Sequence, residues 1–322
     1  MEFEYTYGVA RVRALESSLF TAETIDAMLQ CKDYESCLNF LRDKGWGNGQ
    51  TEQSSEEMLN EEKAKAWKVL DELIEDPTTR EVLTVNDEFH NLKAAIKSVC
   101  TGQENGNIFV ENTSISPEFL KETIRQGEYS RLPEEMSAIA KEATEVLLQT
   151  GDGQLCDIII DKAALEAVKR AGEQSDNAFI RAYADLQVTI ADIKIAVRCA
   201  ATGKDRAFVR KALVPCKGIS ITELTEAVGG GLGEVCEYLE SAGFKEGVLA
   251  LQRSKSAFEC WCDNKVVEEM KTQKYDSFSI GPIVAYVLAR ENEIKTVKII
   301  LSGKLNGFDN EFIQERVREM YA

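Results

Sequence analysis

Four short amphipathic segments of this chain begin with the same pattern. An apolar residue precedes a small polar or acidic residue, and apolar residues follow four and eight positions after it, as one face of a helix requires. The polar residues are Thr21, Ser116, Ser220 and Asp309. Such residues cap helices by accepting free backbone N–H groups, and the flanking apolar pair forms a hydrophobic staple. The pattern therefore predicts four capped helix starts, with Pro117 at the first position of the second helix.

A second pattern precedes each cap and recurs with it. Amphipathic segments ending at Thr101-Gly102, Thr202-Gly203 and Ser302-Gly303 carry polar, apolar and basic residues in the same order. The successive caps are 95, 104 and 89 positions apart, which indicates an internal repeat. The sequence predicts an all-α fold with three pseudo-symmetric helical repeats, over residues 1–114, 115–218 and 219–322. The first and last helices would belong to one repeat that is divided between the two ends of the chain.

The long apolar segments predict the remaining helices. We expect one helix over Ile283–Leu301, ended by Ser302-Gly303, and another over Phe244–Gln273. The glycine run Gly229-Gly230-Gly231 follows a helix and not a strand, so it predicts a helix stop and not a phosphate loop. The polar segment from Gly47 to Glu57 predicts a mobile loop.

Charge and hydropathy restrict the function. The 322 residues carry a formal net charge of −17, which disfavours nucleic acids and anionic lipid surfaces as main partners and favours basic protein surfaces. No apolar stretch approaches the length of a membrane span and no signal pattern is present, so we expect a cytoplasmic protein. The nine cysteines, Cys260 and Cys262 among them, match no zinc or disulfide spacing and are expected to be buried thiols.

Candidate catalytic chemistry is sparse. The chain lacks the G-x-x-x-x-G-K-[ST] motif of nucleotide hydrolases, and its single histidine, His90, has no nucleophile beside it in the sequence. Carboxylates stand one turn apart at Asp157 and Asp161, and again at Glu259 and Asp263. Such pairs can hold Mg²⁺ in all-helical enzymes, but their recurrence in the repeat register favours a structural role. We predict no catalytic residue, no metal and no cofactor.

Cations in the repeated helices form the remaining candidate site. They can pair with the acids of the same repeat, or they can face a partner. The five are Arg11, Arg13, Lys97, Arg198 and Lys298. We expect Arg11, Arg13, Arg198 and Lys298 to be partner-binding residues, on helices that surround a central cavity.

Particular stretches resemble a known family over the whole length. They are Tyr5-Thr6-Tyr7-Gly8-Val9-Ala10-Arg11-Val12-Arg13-Ala14, Asp157-Ile158-Ile159-Ile160-Asp161-Lys162, Phe258-Glu259-Cys260-Trp261-Cys262-Asp263, Gly281-Pro282-Ile283-Val284-Ala285-Tyr286 and Gly303-Lys304-Leu305-Asn306-Gly307. In this order they resemble the C subunit of the V/A-type rotary ATPases, the relative of the d subunit in eukaryotic V-ATPases. The C-terminal block is the most specific part of the resemblance.

The resemblance implies a funnel-shaped body of three helical repeats and a non-catalytic role in the central stalk. A protein of this kind caps the membrane rotor ring on its cytoplasmic side and receives the central shaft, so that ATP turnover is coupled to proton or sodium ion transport. Two alternatives remain open from the residues alone. One is a helical-repeat scaffold for an unrelated protein partner, and the other is an all-helical metal-dependent enzyme that uses Asp157 and Asp161.

Overall fold

The helix starts predicted from the sequence are present as capped helices. The computed structural model describes residues 5–49, 53–103, 108–111 and 113–322. Within these ranges every regular element is helical and no strand occurs, which confirms the all-α prediction. Residues 50–52 of the predicted mobile loop lie outside the described residues. The loop prediction is wrong for its last residues, because the side chain of Ser54 accepts the Glu57 N–H and starts a helix at Ser55. The chain divides into two compact units, residues 1–75 with 244–322 and residues 76–243.

The first unit is built from N-terminal and C-terminal helices together. Its helices are α1 (Thr6–Glu16), α2 (Ala22–Leu29), α3 (Tyr34–Asp43), α4 (Ser55–Leu73), α13 (Lys245–Arg253), α14 (Lys255–Lys271), a 3₁₀ turn (Thr272–Tyr275), α15 (Gly281–Leu305) and α16 (Asn310–Gln314).

The second unit is continuous in sequence. Its helices are α5 (Pro77–Thr101), α6 (Pro117–Gln126), a 3₁₀ turn (Tyr129–Arg131), α7 (Glu134–Thr150), α8 (Gly153–Gln174), α9 (Ala178–Ala201), α10 (Arg206–Ala212), α11 (Ile221–Gly230) and α12 (Leu232–Ser241).

Local chemistry fixes all four repeated helix starts. The side chains of Thr21, Ser116, Ser220 and Asp309 each accept the backbone N–H three residues later. This contact satisfies one of the N–H groups that a helix leaves free at its start. The four predicted caps are therefore confirmed. The three-repeat division at residues 114 and 218 stays a prediction.

Two predicted helix boundaries are wrong. One error arises from a helix cap that was not recognised, and the other from packing between distant segments. The helix predicted over Phe244–Gln273 is two helices, because the side chain of Ser254 accepts the Ala257 N–H and starts α14. The helix predicted to stop at Ser302-Gly303 continues through Gly303 to Leu305. Gly102 and Gly203, by contrast, follow helix ends with positive φ values of 69° and 66°, as predicted.

Helix α15 lies at the centre of the first unit. Every residue from Gly281 to Arg290 is buried, so this half of the helix is surrounded by protein on all sides. Its second half contributes Val297, Ile300 and Leu301 to a core that also contains Phe20 and Trp46, whose rings stack at 5.1 Å. Residues from both ends of the sequence therefore share one hydrophobic core.

Gly303 provides a direct test of how α16 packs on α15. A Cβ atom built on Gly303 would lie 2.5 Å from Cγ1 of the buried Ile313. We predict that Gly303→Ala lowers the free energy of unfolding by about 1–3 kcal/mol through overpacking. Gly233→Ala is the matched control, since its Cβ would meet no atom within 4 Å. There the better helix propensity of alanine should raise stability by up to about 1 kcal/mol. Equal effects of both changes in urea unfolding would contradict this packing.

Candidate partner-binding surface

The two predicted cations of α1 are held by contacts within the first unit. Arg11 forms a 2.6 Å ion pair with Glu72. Arg13 pairs with Glu16 at 2.7 Å and also donates to the carbonyl oxygens of Gln273 and Asp276, at 2.8 and 2.9 Å. Arg13 therefore ties α1 to the turn that precedes α15. Both guanidinium groups remain partly accessible to solvent.

The other two predicted cations are exposed. Arg198 lines a groove of about 300 Å³ in the second unit, together with Lys93, Asp157 and Asp161. Lys298 lies on the exposed face of α15 in the first unit. Within the part of the chain that the structure describes, neither side chain forms a salt bridge. Their charges are therefore the most available of the four for an outside partner.

The paired acids bind lysine and arginine side chains. Lys97 contacts Asp157 and Lys93 contacts Asp161, each at 2.6 Å. In the first unit Lys295 contacts the Asp263 carboxylate at 2.5 Å and Arg318 contacts it at 2.8 Å.

Asp263 shows how strongly these cations act on a carboxylate. Burial opposes its ionisation, yet the two cations hold the pKa of Asp263 below its ordinary value. No group of three or more metal-ligating side chains occurs among the described residues. These contacts favour the structural interpretation of the acids.

The remaining candidate chemical groups have ordinary structural surroundings. A ring nitrogen of His90, Nε2, lies 2.8 Å from the carbonyl oxygen of Ile108. The nine cysteines are free, and burial raises the pKa of the Cys260 thiol. Gly231 has a φ of 99° and separates α11 from α12, so the predicted helix stop is confirmed.

Sequence reasoning missed a polar contact that recurs on three long helices. Asn91 on α5, Asp192 on α9 and Glu293 on α15 are buried, and each follows the previous one by 101 residues. Their side-chain oxygens accept the backbone N–H groups of Val110, Val214 and Phe20, at 2.8, 3.1 and 2.8 Å. We call these three contacts the polar clasps. The held segments lead to the capped helices α6, α11 and α2, respectively.

The clasp on α15 includes a buried ion pair. Arg290 and Glu293 have exposed side-chain fractions of 6% and 2%, and their atoms approach to 2.6 Å. Arg290 also donates to the Ser18 hydroxyl at 2.8 Å and lies over the ring of Trp46. Burial raises the pKa of Glu293 to about 7, although Arg290 and the Phe20 N–H favour the ionised form. This cluster ties the chain before α2 to the central helix.

Among the residues that the structure describes, the acid of the clasp on α9 forms no ion pair. Burial raises the pKa of Asp192 to about 7, against the effects of the Val214 N–H and of Lys162. At the corresponding place on α5 the residue is Asn91, which cannot ionise. Its amide nitrogen donates to the Val110 carbonyl oxygen and to the Thr113 hydroxyl. The same backbone contact is therefore made with and without a titratable group.

Aromatic side chains are exposed where α15 turns into α16. Leu305, Phe308 and Phe312 have exposed fractions of 67%, 48% and 40%. The rings of Phe308 and Phe312 lie 4.7 Å apart, and the guanidinium of Arg316 lies 3.6 Å from the centre of the Phe312 ring. Phe308 was predicted as the staple partner of the buried Ile313, but much of its ring faces solvent. We call Leu305, Phe308 and Phe312 the apolar corner.

Stability should depend on pH through Asp192. Its pKa rises from about 4 in the unfolded chain to about 7 in the folded one, so the folded state binds more protons between these values. The stabilising contribution of its neutral form is complete below about pH 4 and is lost as the pH rises through 7. We predict that Asp192→Asn gains stability relative to the parent protein over this range, by at most roughly 4 kcal/mol. A difference that is constant from pH 4 to 8 in urea unfolding would contradict the prediction.

Loss of Arg290 should destabilise the first unit strongly. Arg290→Met leaves a buried carboxylate without its cation, and we predict a loss of about 3–5 kcal/mol in unfolding free energy. Arg290→Met with Glu293→Gln should recover part of this loss, because glutamine still accepts the Phe20 N–H. The control is Lys265→Met, which breaks an exposed pair with Glu268 at the same helical spacing and should cost about 0.5 kcal/mol or less. Similar losses for Arg290→Met and Lys265→Met would argue against the clasp.

Comparison with known proteins identifies the family. A sequence profile of the family described as ATP synthase (C/AC39) subunit matches residues 8–316. The C subunit of the V-type sodium ATPase of Enterococcus hirae is 23% identical, over 100% of this chain and 99% of the relative. The C subunit of the A-type ATP synthase of Methanocaldococcus jannaschii is 24% identical, over 96% and 85% of the two chains. The C subunit of the V-type ATP synthase of Thermus thermophilus is 23% identical, over 73% of each chain.

These matches confirm the resemblance drawn from the sequence. No helix in the described ranges combines the length and the apolar character needed to cross a bilayer. The chain therefore belongs to the ATP synthase (C/AC39) subunit family, and it is a structural, non-catalytic part of its complex.

Proposed function

We propose that the chain is the central-stalk subunit that couples the central shaft to the membrane rotor ring of a V/A-type rotary ATPase. It would lie on the cytoplasmic side, peripheral to the membrane, and serve proton or sodium ion transport. The observation that carries this proposal is the family match over residues 8–316, together with relatives that are named as the C subunit of such complexes and that align over most of their length.

The architecture of the first unit suits the transmission of torque. A protein that transmits torque must keep its shape under load, and proteins resist deformation where their cores are closely packed. Helix α15 is surrounded by protein over its first half. Glu293 on this helix accepts the Phe20 N–H in the segment before α2. The side chain of Ile313, in the C-terminal segment, packs against Gly303, where a Cβ atom would clash with it. One helix therefore holds both the segment before α2 and the segment that contains Ile313.

The polar clasps support the proposal of three repeats. Their residues recur at an interval of 101, and each holds a segment that leads to a capped helix. The third clasp joins α15 to Phe20, which fits a repeat divided between the two ends of the chain. A protein with three similar repeats would present three similar surfaces to a ring of identical proteolipids.

The exposed cations are the best candidates for partner contacts. Among the cations of the repeated helices, Arg198 and Lys298 are the two that are exposed without a salt bridge in the described part of the chain, and complementary charge sets the rate and register of association. We propose that Arg198 and Lys298 contact the shaft or the ring. Arg11 and Arg13 would act less directly, because the chain already engages their guanidinium groups.

Affinity purification from the native membrane tests the proposed function. A tagged copy of the chain should bring down the catalytic subunits, the shaft subunits and the proteolipid subunits of a rotary ATPase. Repeated recovery of a different, defined complex would replace this proposal with a scaffold for an unrelated partner. The purified chain by itself should show no ATP turnover.

Charge reversal tests the role of the exposed cations. We predict that Arg198→Glu with Lys298→Glu weakens assembly with the shaft or the ring by about tenfold, or 1.4 kcal/mol, and leaves the melting temperature nearly unchanged. The matched control is Arg125→Glu, another exposed arginine, with a second exposed reversal at Lys211→Glu. Assembly of the Arg198 and Lys298 variant with the affinity of the control pair would reject this assignment.

A further inference from the structure

We infer that the apolar corner is an anchor that docks onto the basic cytoplasmic loops of the membrane rotor ring. This inference rests on the proposed function and adds to it the surface that makes the contact. Exposed clusters of large apolar side chains are uncommon on proteins that act alone, and they mark sites of interaction. The rings of Phe308 and Phe312 lie 4.7 Å apart, so their apolar surfaces are contiguous, and Leu305 is exposed three residues before Phe308.

The backbone of the corner is fixed by hydrogen bonds within the chain. The N–H of Phe308 donates to the carbonyl oxygen of Gly303 at 3.0 Å, and Gly307 between them has a φ of 69°. Asp309 accepts the N–H of Phe312 at 2.7 Å, and Ile313 is buried in the core of the unit. Because this backbone is already ordered, a partner that binds the rings has less conformational entropy to remove, which suits an interface anchor.

The charges around the corner select its partner. Asp309, Glu311 and Glu315 are exposed beside the aromatic rings. Two cations beside the corner, Lys304 and Arg316, are already engaged. Lys304 donates to the carbonyl oxygens of Leu29 and Cys31, and Arg316 covers Phe312 and pairs with Glu315.

Helix α2 packs against α16 and adds to the acidic surroundings, with exposed Glu23 and Asp26. The surface is thus an apolar centre with an acidic rim, which complements a basic protein segment and repels anionic lipid.

Among the parts of a rotary ATPase, the membrane ring is the one with a general reason to be basic. Loops of membrane proteins on the cytoplasmic side are enriched in lysine and arginine. An acidic rim would attract these loops, and the aromatic rings would pack between the apolar parts of their side chains. Lys298, two helical turns before Leu305 and about 10 Å along α15, places an opposite charge near the corner that can fix the register.

Binding to membranes stripped of the soluble part of the ATPase tests the inference. We expect Phe308→Ala with Phe312→Ala to reduce the affinity for ring-containing membranes by at least about tenfold. The matched control is Leu148→Ala with Leu249→Ala, which truncates two other exposed apolar side chains and should change affinity by less than about twofold. Helix content and melting temperature, measured on the same samples, show whether each variant is folded before its affinity is compared with that of the parent protein.

A charge variant tests the acidic rim separately from the rings. Glu311→Lys should slow association with ring-containing membranes at low salt, and the difference from the parent protein should disappear at high salt. An unchanged association rate at low salt would overturn the role of the rim. Parent-like affinity of the double phenylalanine variant, or tight binding of the parent protein to protein-free anionic vesicles, would overturn the docking inference. Failure of the parent protein to bind ring-containing membranes at all would instead reject the proposed function.

Discussion

The contact between Glu293 on α15 and the backbone N–H of Phe20 is the constraint on which the first unit depends. It joins residues 273 positions apart in a buried setting, where an unpaired N–H or an unpaired carboxylate would be strongly destabilising. Arg290 supplies the opposite charge to Glu293 and also donates to the Ser18 hydroxyl. One turn of α15 therefore forms hydrogen bonds with both Ser18 and Phe20 in the segment before α2. The stacked Phe20 and Trp46 rings and the α15 core can then close around this segment.

The same backbone contact is made on α5 and α9 with different side chains. Asn91, Asp192 and Glu293 share the geometry of an acceptor on a long helix but differ in charge. A neutral amide needs no counterion, Asp192 stays largely protonated up to about pH 7, and Glu293 has Arg290. Recurrence of the geometry without recurrence of the residue type indicates that the backbone contact is the shared feature. This shared contact gives a physical basis for the proposed body of three repeats.

Local signals were readable from the sequence and tertiary ones were not. The caps at Thr21, Ser116, Ser220 and Asp309 follow from contacts within three residues, and the all-α fold follows from helical periodicity. Gly303 was misread as a helix stop, because only the packing of Ile313 against it explains a glycine inside α15.

The candidate site shows the same limit. The clasps were missed because a polar residue on an amphipathic helix is expected to face water, and burial is decided by distant segments. Conversely, the exposure of Phe308 and Phe312 has no sequence signature, since apolar residues beside a cap usually pack inward. The recurrence of the acid pairs in the sequence was enough to predict a structural role for them. Their pairing with Lys93, Lys97 and Lys295 could be seen only in the folded structure.

The central claim is that this non-catalytic protein couples ATP turnover to ion movement. The most direct measurement is ATP-driven ion uptake into membrane vesicles prepared from cells that lack the chain, before and after addition of the purified protein. The account predicts that uptake is absent without the chain and returns in proportion to the amount of chain that binds. Full ATP-driven uptake in vesicles that lack the chain would contradict it.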